Sequence, residues 1–124
     1  MSTILVLDDV KDAAVLVSRI LKKKGYTVHL FVDEDKALSF AKNNDLDLAI
    51  LDMKLRKMDG VEVLAELKRI QPEIKAIMLT GYPTAQTAQR SQKEGASGYC
   101  IKPIDKRELE QAVAEILVSK SSEP

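Results

Sequence analysis

Short apolar runs alternate along the chain with amphipathic stretches of helical period. Ile4 to Leu7 is a continuous apolar run that stops at Asp8-Asp9, the pattern of a buried strand. Asp12 to Lys24 follows as a helix, with Val15, Leu16, Ile20 and Leu21 at helical spacing and Gly25 just beyond its end. Tyr26 to Phe31 alternates as a second strand, and Asp33 caps a helix running to about Asn43. Leu46 to Leu51 is a third strand, ending at Asp52. Asp59-Gly60 opens a third helix in which Val61, Leu64 and Leu67 share one face, with Pro72 beyond it. Lys75 to Leu79 is a fourth strand, ending at Thr80-Gly81, and Thr84 to Glu94 a more polar helix stopped by Gly95. Ser97 to Ile101 is a fifth strand, ending at Lys102-Pro103. Asp105 caps the last helix, which uses Leu109, Val113 and Ile116.

Strict alternation of five strands with five helices predicts an α/β fold: a five-stranded parallel sheet covered by helices on both faces. The expected order is the flavodoxin-like 2-1-3-4-5, whose switch point lies between the first and third strands. In that class ligands sit beyond the carboxyl ends of the strands. One domain over residues 1–118 is expected, followed by a polar tail at 119–124.

Composition narrows the class. At 124 residues, with 45% hydrophobic and 31% charged, the chain can bury a core without disulfides or a structural metal. Its formal net charge of zero gives no reason to expect direct nucleic-acid binding or an anionic membrane partner. Cys100 is the single cysteine, read as a small apolar strand residue, so no internal disulfide can form. No signal-peptide pattern or membrane-length apolar run is present, and a cytoplasmic location is the default. His29, the one histidine, is expected at the surface of the second strand, away from the strand ends.

The candidate chemistry stands at those ends. The first strand presents Asp8 and Asp9, the third Asp52, the fourth Thr80 and the fifth Lys102. Singly, each has an ordinary reading as a loop acid, turn hydroxyl or surface charge; their shared location is the specific signal. Three carboxylates in one crevice repel one another, so the site calls for protonation or a cation. Mg²⁺ favours a few carboxylates with water and phosphate oxygens, and Lys102 adds a fixed positive charge. Such a site suits a dianionic phosphoryl group better than a neutral metabolite.

With these residues in place, the segments ILVLDDV, LAILDMKLRKMDG, IMLTGYP and GYCIKPID resemble, in order and separation, the receiver domain of the two-component response regulators, over essentially the whole chain. The resemblance implies a phosphorylation-activated switch that catalyses its own phosphoryl transfer and slow self-dephosphorylation. Asp52 matches the phosphoacceptor, Asp8 and Asp9 the acidic pair of a Mg²⁺ site, and the Lys54 backbone carbonyl a further metal ligand. Thr80 matches the hydroxyl that bonds the phosphoryl oxygens, and Lys102 the lysine paired with the phosphorylated carboxylate. Lys102-Pro103 matches a peptide bond that is typically cis, and Tyr99 the aromatic switch position. The implied partners are a sensor histidine kinase or phosphotransfer protein and a downstream output protein or domain. The latter would read the surface of the fourth helix, fifth strand and fifth helix. Lys54 and Tyr82, two residues beyond Asp52 and Thr80, are expected to flank the water approach and shield the phosphoryl group.

Three rival readings meet specific obstacles. A flavodoxin-like cofactor binder needs an anion loop where Asp8-Asp9 stands. An aspartate-nucleophile phosphatase needs a second acid where Lys54 stands. A degenerate, purely binding receiver would not retain all five polar residues. No output domain follows the last helix in this sequence, which is therefore a stand-alone receiver or one cut from a longer regulator. Ser97-Gly98 replaces the acidic pair that the winged-helix branch uses in dimer salt bridges, so a monomer or weak dimer is expected.

Overall fold

A computed structural model of the chain describes residues 2–121, and side-chain surroundings through residue 118. The elements are β1 (Thr3–Leu7), α1 (Lys11–Lys23), β2 (Thr27–Phe31), α2 (Glu34–Asn43), β3 (Leu48–Asp52), α3 (Gly60–Ile70), β4 (Lys75–Thr80), α4 (Ala85–Lys93), β5 (Gly98–Ile101) and α5 (Lys106–Ser121). The strands form one parallel sheet in the order β2-β1-β3-β4-β5, as the alternation predicts.

Strand periodicity divides the core between the two faces. Ile4, Val6, Ile50 and Ile77 pack with Val17 and Leu21 of α1 and Val113 of α5. Leu5, Leu7, Leu51 and Met78 pack with Ala37 of α2 and Leu64 and Leu67 of α3. Every residue of β3 is buried, which is why its sequence reads as an apolar run rather than an alternation. Cys100 is buried within the first of these clusters.

Several local expectations shift. The buried face of α1 is Ala14, Val17, Ser18, Ile20 and Leu21, whereas Leu16 is exposed. A hydrogen bond from the Val10 amide to Asp8 Oδ1 (3.0 Å) sets the chain's entry into α1, and Leu16 falls on the outer side. β3 begins at Leu48 rather than Leu46, because the Leu46 amide donates to Gln71 Oε1 (2.9 Å) instead of to a neighbouring strand. His29 is half-buried, its ring 4.6 Å from that of Phe40, rather than a plain surface residue. Leu117 completes the buried face of α5, with Ile116 packed only partly beneath it. The helix continues to Ser121, into the segment expected as a tail; residues 122–124 lie outside the described residues. Among the described residues, no helix is long and apolar enough to cross a membrane.

The connection between β3 and α3 is closed tightly. The Gly60 amide donates to the Met53 carbonyl (2.9 Å), and the Met53 amide donates to the Leu79 carbonyl (2.8 Å). Asp59 and Glu62 form a reciprocal capping box at the start of α3. A Cβ at Gly60 would run into the Asp52 backbone carbonyl and sit 2.9 Å from Met78 Cε, so α3 can begin this close to β3 only with glycine there. Gly60→Ala should therefore lower unfolding free energy by about 1–3 kcal/mol, as overpacking does. Urea denaturation of the two proteins checks this, and an unchanged midpoint would contradict the close approach.

Candidate functional site

Asp8 follows β1 directly, Asp52 and Thr80 are the last residues of β3 and β4, and Lys102 follows β5. The parallel sheet thus delivers all four to one edge. Asp8, Asp52 and Thr80 are buried and Asp9 is half-buried. One carboxylate oxygen from each of Asp8, Asp9 and Asp52 lies within 4.8 Å of the others. Lys102 Nζ donates to Asp8 Oδ2 (2.9 Å) and lies 3.0 Å from Asp52 Oδ1. Its backbone amide donates to the Thr80 carbonyl (2.7 Å), which ties the fifth strand's end to the fourth. The Lys102-Pro103 bond is cis.

Burial pushes the Asp52 carboxyl above its ordinary value; the bond from Lys102 opposes this, and the Asp8 and Asp9 charges add to the rise. Burial pulls the Lys102 ammonium down, but its bonds to Asp8 and Asp52 outweigh that, and the net shift is upward. Lys102 is therefore a fixed cation between two carboxylates. The all-oxygen, three-carboxylate donor set fits a hard divalent cation such as Mg²⁺.

Beyond Asp52 a cavity of about 240 Å³ opens between the β3–α3 and β4–α4 loops, lined among others by Asp52, Lys54, Asp59, Thr80, Tyr82 and Arg90. The Thr80 hydroxyl accepts from the Tyr82 amide (3.1 Å), shaping the turn out of β4. Lys54 Nζ sits 5.1 Å from the centroid of the Tyr82 ring, so these two exposed side chains meet each other at the cavity's mouth. Arg90 of α4 donates to Asp59 (2.8 Å), joining α4 to the start of α3 across the cavity.

Tyr99 is half-buried, and its hydroxyl lies 2.8 Å from Thr87 Oγ1. Thr87 also forms a capping box with Thr84 at the start of α4. Thr87, the Arg90–Asp59 pair and Glu34, which accepts from the Lys57 and Met58 amides of the β3–α3 loop, make the contacts around the site that sequence reasoning missed. For Thr87 a signal existed: a threonine three residues after a capping threonine, although that position more commonly carries Glu or Gln. Arg90 and Glu34 carry no local signal, because each partner lies far away in sequence.

Residues 4–114 match the family model described as "Response regulator receiver domain". The sporulation initiation phosphotransferase F of Bacillus subtilis (strain 168) is 34% identical over 119 residues, covering 96% of each chain. Among solved structures, a response regulator receiver domain protein (CheY-like) from Methanospirillum hungatei JF-1 superposes with a TM-score of 0.95 at 31% identity, covering 100% of this chain and 99% of that one. A Burkholderia pseudomallei response regulator, solved with a phosphorylated aspartic acid, calcium ion and citrate, gives a TM-score of 0.84 at 28% identity, covering 98% of this chain and 74% of that one. By contrast, the chain spans only 26% of the length of the transcriptional regulatory protein ZraR of Klebsiella oxytoca, to which it is 34% identical.

The raised Asp52 carboxyl has a consequence for stability. The folded protein holds that proton more tightly than the unfolded chain does, so stability falls as pH rises. The contribution is complete below the ordinary carboxylate value and is lost as pH climbs through the raised one. Asp52→Asn escapes the loss. In chelator-treated buffer it should melt above wild type at neutral pH, with the gap closing in acid. Thermal melts across pH check this; a variant that melts below wild type at neutral pH contradicts it.

Proposed function

This chain belongs to the response regulator receiver domain family, and from that premise we propose that it is a phosphorylation-activated switch whose phosphoacceptor is Asp52. The observation that carries the reading is Lys102 Nζ held between Asp8 (2.9 Å) and Asp52 (3.0 Å), with the Asp9 carboxylate alongside. The acceptor is buried, ionisable and already flanked by a cation.

In this reading an Asp52 carboxylate oxygen forms a bond to phosphorus as the nitrogen–phosphorus bond of a donor phosphohistidine breaks. The bonding pair leaves with the imidazole nitrogen. The donor is a sensor histidine kinase or phosphotransfer protein. Asp8, Asp9, Asp52 and the Lys54 backbone carbonyl would hold Mg²⁺, which when bound neutralises charge on the phosphoryl oxygens. Lys102 supplies the second, permanent cation, and the Thr80 hydroxyl donates to a phosphoryl oxygen.

The Thr80 hydroxyl now accepts from the Tyr82 amide, a bond that does not use its proton but that is lost if the side chain swings toward the phosphoryl group. Turning toward the phosphoryl group releases the turn that leads into Thr84 and Thr87, and Thr87 holds the Tyr99 hydroxyl. Tyr99 then moves inward, and the face of α4, β5 and α5 changes for a downstream output protein or domain. α4 suits such a shift, since Ser91 is its one buried residue. The reading further includes a cytoplasmic location, a monomer or weak dimer, and no direct contact with nucleic acid or membrane.

Lys54 and Tyr82 shield the product. Hydrolysis needs water in line with the Asp52 oxygen–phosphorus bond; support for the shield comes from Lys54 and Tyr82 meeting at 5.1 Å and lining the same cavity as Asp52. Neither is an acid or amide suited to orienting the water.

Incubation with a small phosphodonor and Mg²⁺ should add one phosphoryl group by intact mass, and Asp52→Asn should abolish it; undiminished labelling of that variant would sink the assignment. In the same phosphorylated sample, amide shifts should spread from Asp52 to Thr87, Tyr99 and the rest of α4. Shifts confined to α1 would sink the proposed output face.

Phosphate release should quicken in Lys54→Asn, and further when Tyr82→Ala is added, by about tenfold in all, equivalent to about 1.4 kcal/mol of barrier. Equal release rates in all three proteins, with phosphorylation intact, would rule out shielding.

A further inference from the structure

Glu34 stands apart from the other acids of its segment. It is the first residue of α2 and only 1% exposed, whereas Asp33 and Asp35 on either side of it meet solvent and the Lys57 ammonium. Its Oε2 accepts two backbone hydrogen bonds, from the Lys57 amide (2.5 Å) and the Met58 amide (3.2 Å). Both donors lie in the loop between β3 and α3, more than twenty residues away. A buried carboxylate costs free energy unless its oxygens are bonded, and these amides are what it bonds. The loop's amides, in turn, gain an acceptor that no neighbouring strand supplies.

The same loop carries Lys54. Its near limb is fixed by the two Met53 hydrogen bonds, and its end by the Asp59 cap and the close approach of Gly60 to β3. Between those anchors, Glu34 holds the backbone of the far limb at Lys57 and Met58, whereas Asp33 and Asp35 meet only the exposed Lys57 ammonium of that limb. We propose that Glu34 is a positioning residue for the divalent-cation site: by clamping the Lys57 and Met58 amides it keeps the β3–α3 loop in the shape that presents the Lys54 carbonyl beside Asp52. This rests on the reading of Asp8, Asp9, Asp52 and the Lys54 carbonyl as the Mg²⁺ ligands. A backbone carbonyl cannot be aimed by a rotamer; its direction is set by the loop, so the group that holds the loop acts on the metal through it.

Because both bonds fall on a single oxygen, glutamine can keep them with its amide carbonyl, whereas alanine loses both. Mg²⁺ is titrated calorimetrically, without phosphodonor, into wild type, Glu34→Ala, Glu34→Gln, Asp35→Asn and Asp9→Asn. Glu34→Ala should bind Mg²⁺ about tenfold more weakly. Glu34→Gln should stay within about threefold of wild type, the rescue expected of a hydrogen-bond clamp. Asp35→Asn removes the same charge one residue away without touching the clamp, and should bind as wild type does.

A Glu34→Ala protein that binds Mg²⁺ like wild type overturns the proposal, as does a Glu34→Gln protein as weak as the alanine variant. If wild type binds no Mg²⁺, or Asp9→Asn binds it unchanged, the metal-site reading itself fails and the proposal falls with it. Hydrogen exchange on metal-free wild type keeps the test open should Glu34→Ala not fold. The Lys57 and Met58 amides should exchange slowly, and exchange as fast as an unbonded loop amide overturns the clamp.

Discussion

Gathering carboxylates at the carboxyl edge of a parallel sheet creates repulsion that something must offset, and in this molecule Lys102 does so. Its ammonium reaches from the end of β5 to Asp8 at the end of β1 and Asp52 at the end of β3, past Thr80 at the end of β4. Without that cation, two buried carboxylates would face each other with only Asp9 nearby, their repulsion unopposed. With it, Asp52 remains a shifted but ionisable acid, able in the proposed reading to act as a nucleophile. The β-sheet order matters for the same reason. β3 lies directly between β1 and β4, so Asp52 is central to the group that Lys102 joins.

Around this ionic centre the structure is unevenly fixed. On the β3 side, the loop to α3 is held at its start, middle and end by Met53, Glu34 and the Asp59 cap with Gly60. On the β4 side, the turn rests on one bond from Tyr82 to Thr80 and on a cap built from two threonine hydroxyls. Arg90 and Asp59 link the two sides through a partly exposed ion pair, an interaction worth little by itself. In the proposed reading the contrast matches a division of labour, in which one loop holds ligand geometry and the other is able to move. α4, with so little of its surface buried, is the element that least resists such movement.

The order of elements was legible because each carries its own period. β3 is an apolar run of strand length, α3 repeats Val61, Leu64 and Leu67 between a capping aspartate and a downstream proline, and glycines stop α1 and α4. Errors fell where the competing bond comes from elsewhere in the chain. Leu46 has the composition of a strand residue, yet Gln71 takes its amide. Leu16 has the spacing of a core residue, yet α1 turns Val17 inward. His29 follows its strand's alternation, but Phe40 of α2 covers it. Period determines that a face exists; packing decides which residues end inside it.

The candidate site divides along the same line. The sequence by itself determined that Asp8, Asp9, Asp52, Thr80 and Lys102 stand at strand ends. In a parallel sheet that is enough to bring them to one edge, because all strands point the same way. The tertiary structure alone decided that Lys102 bonds both Asp8 and Asp52, that Thr87 holds Tyr99, and that Arg90 reaches Asp59. It alone separated Glu34 from Asp35, for of these three consecutive acids the sequence marked only Asp33, as a cap. The physical reason is range: strand ends are set by local periodicity, whereas the partner of a charged side chain is set by which distant backbone or charge the fold places within a few ångströms of it.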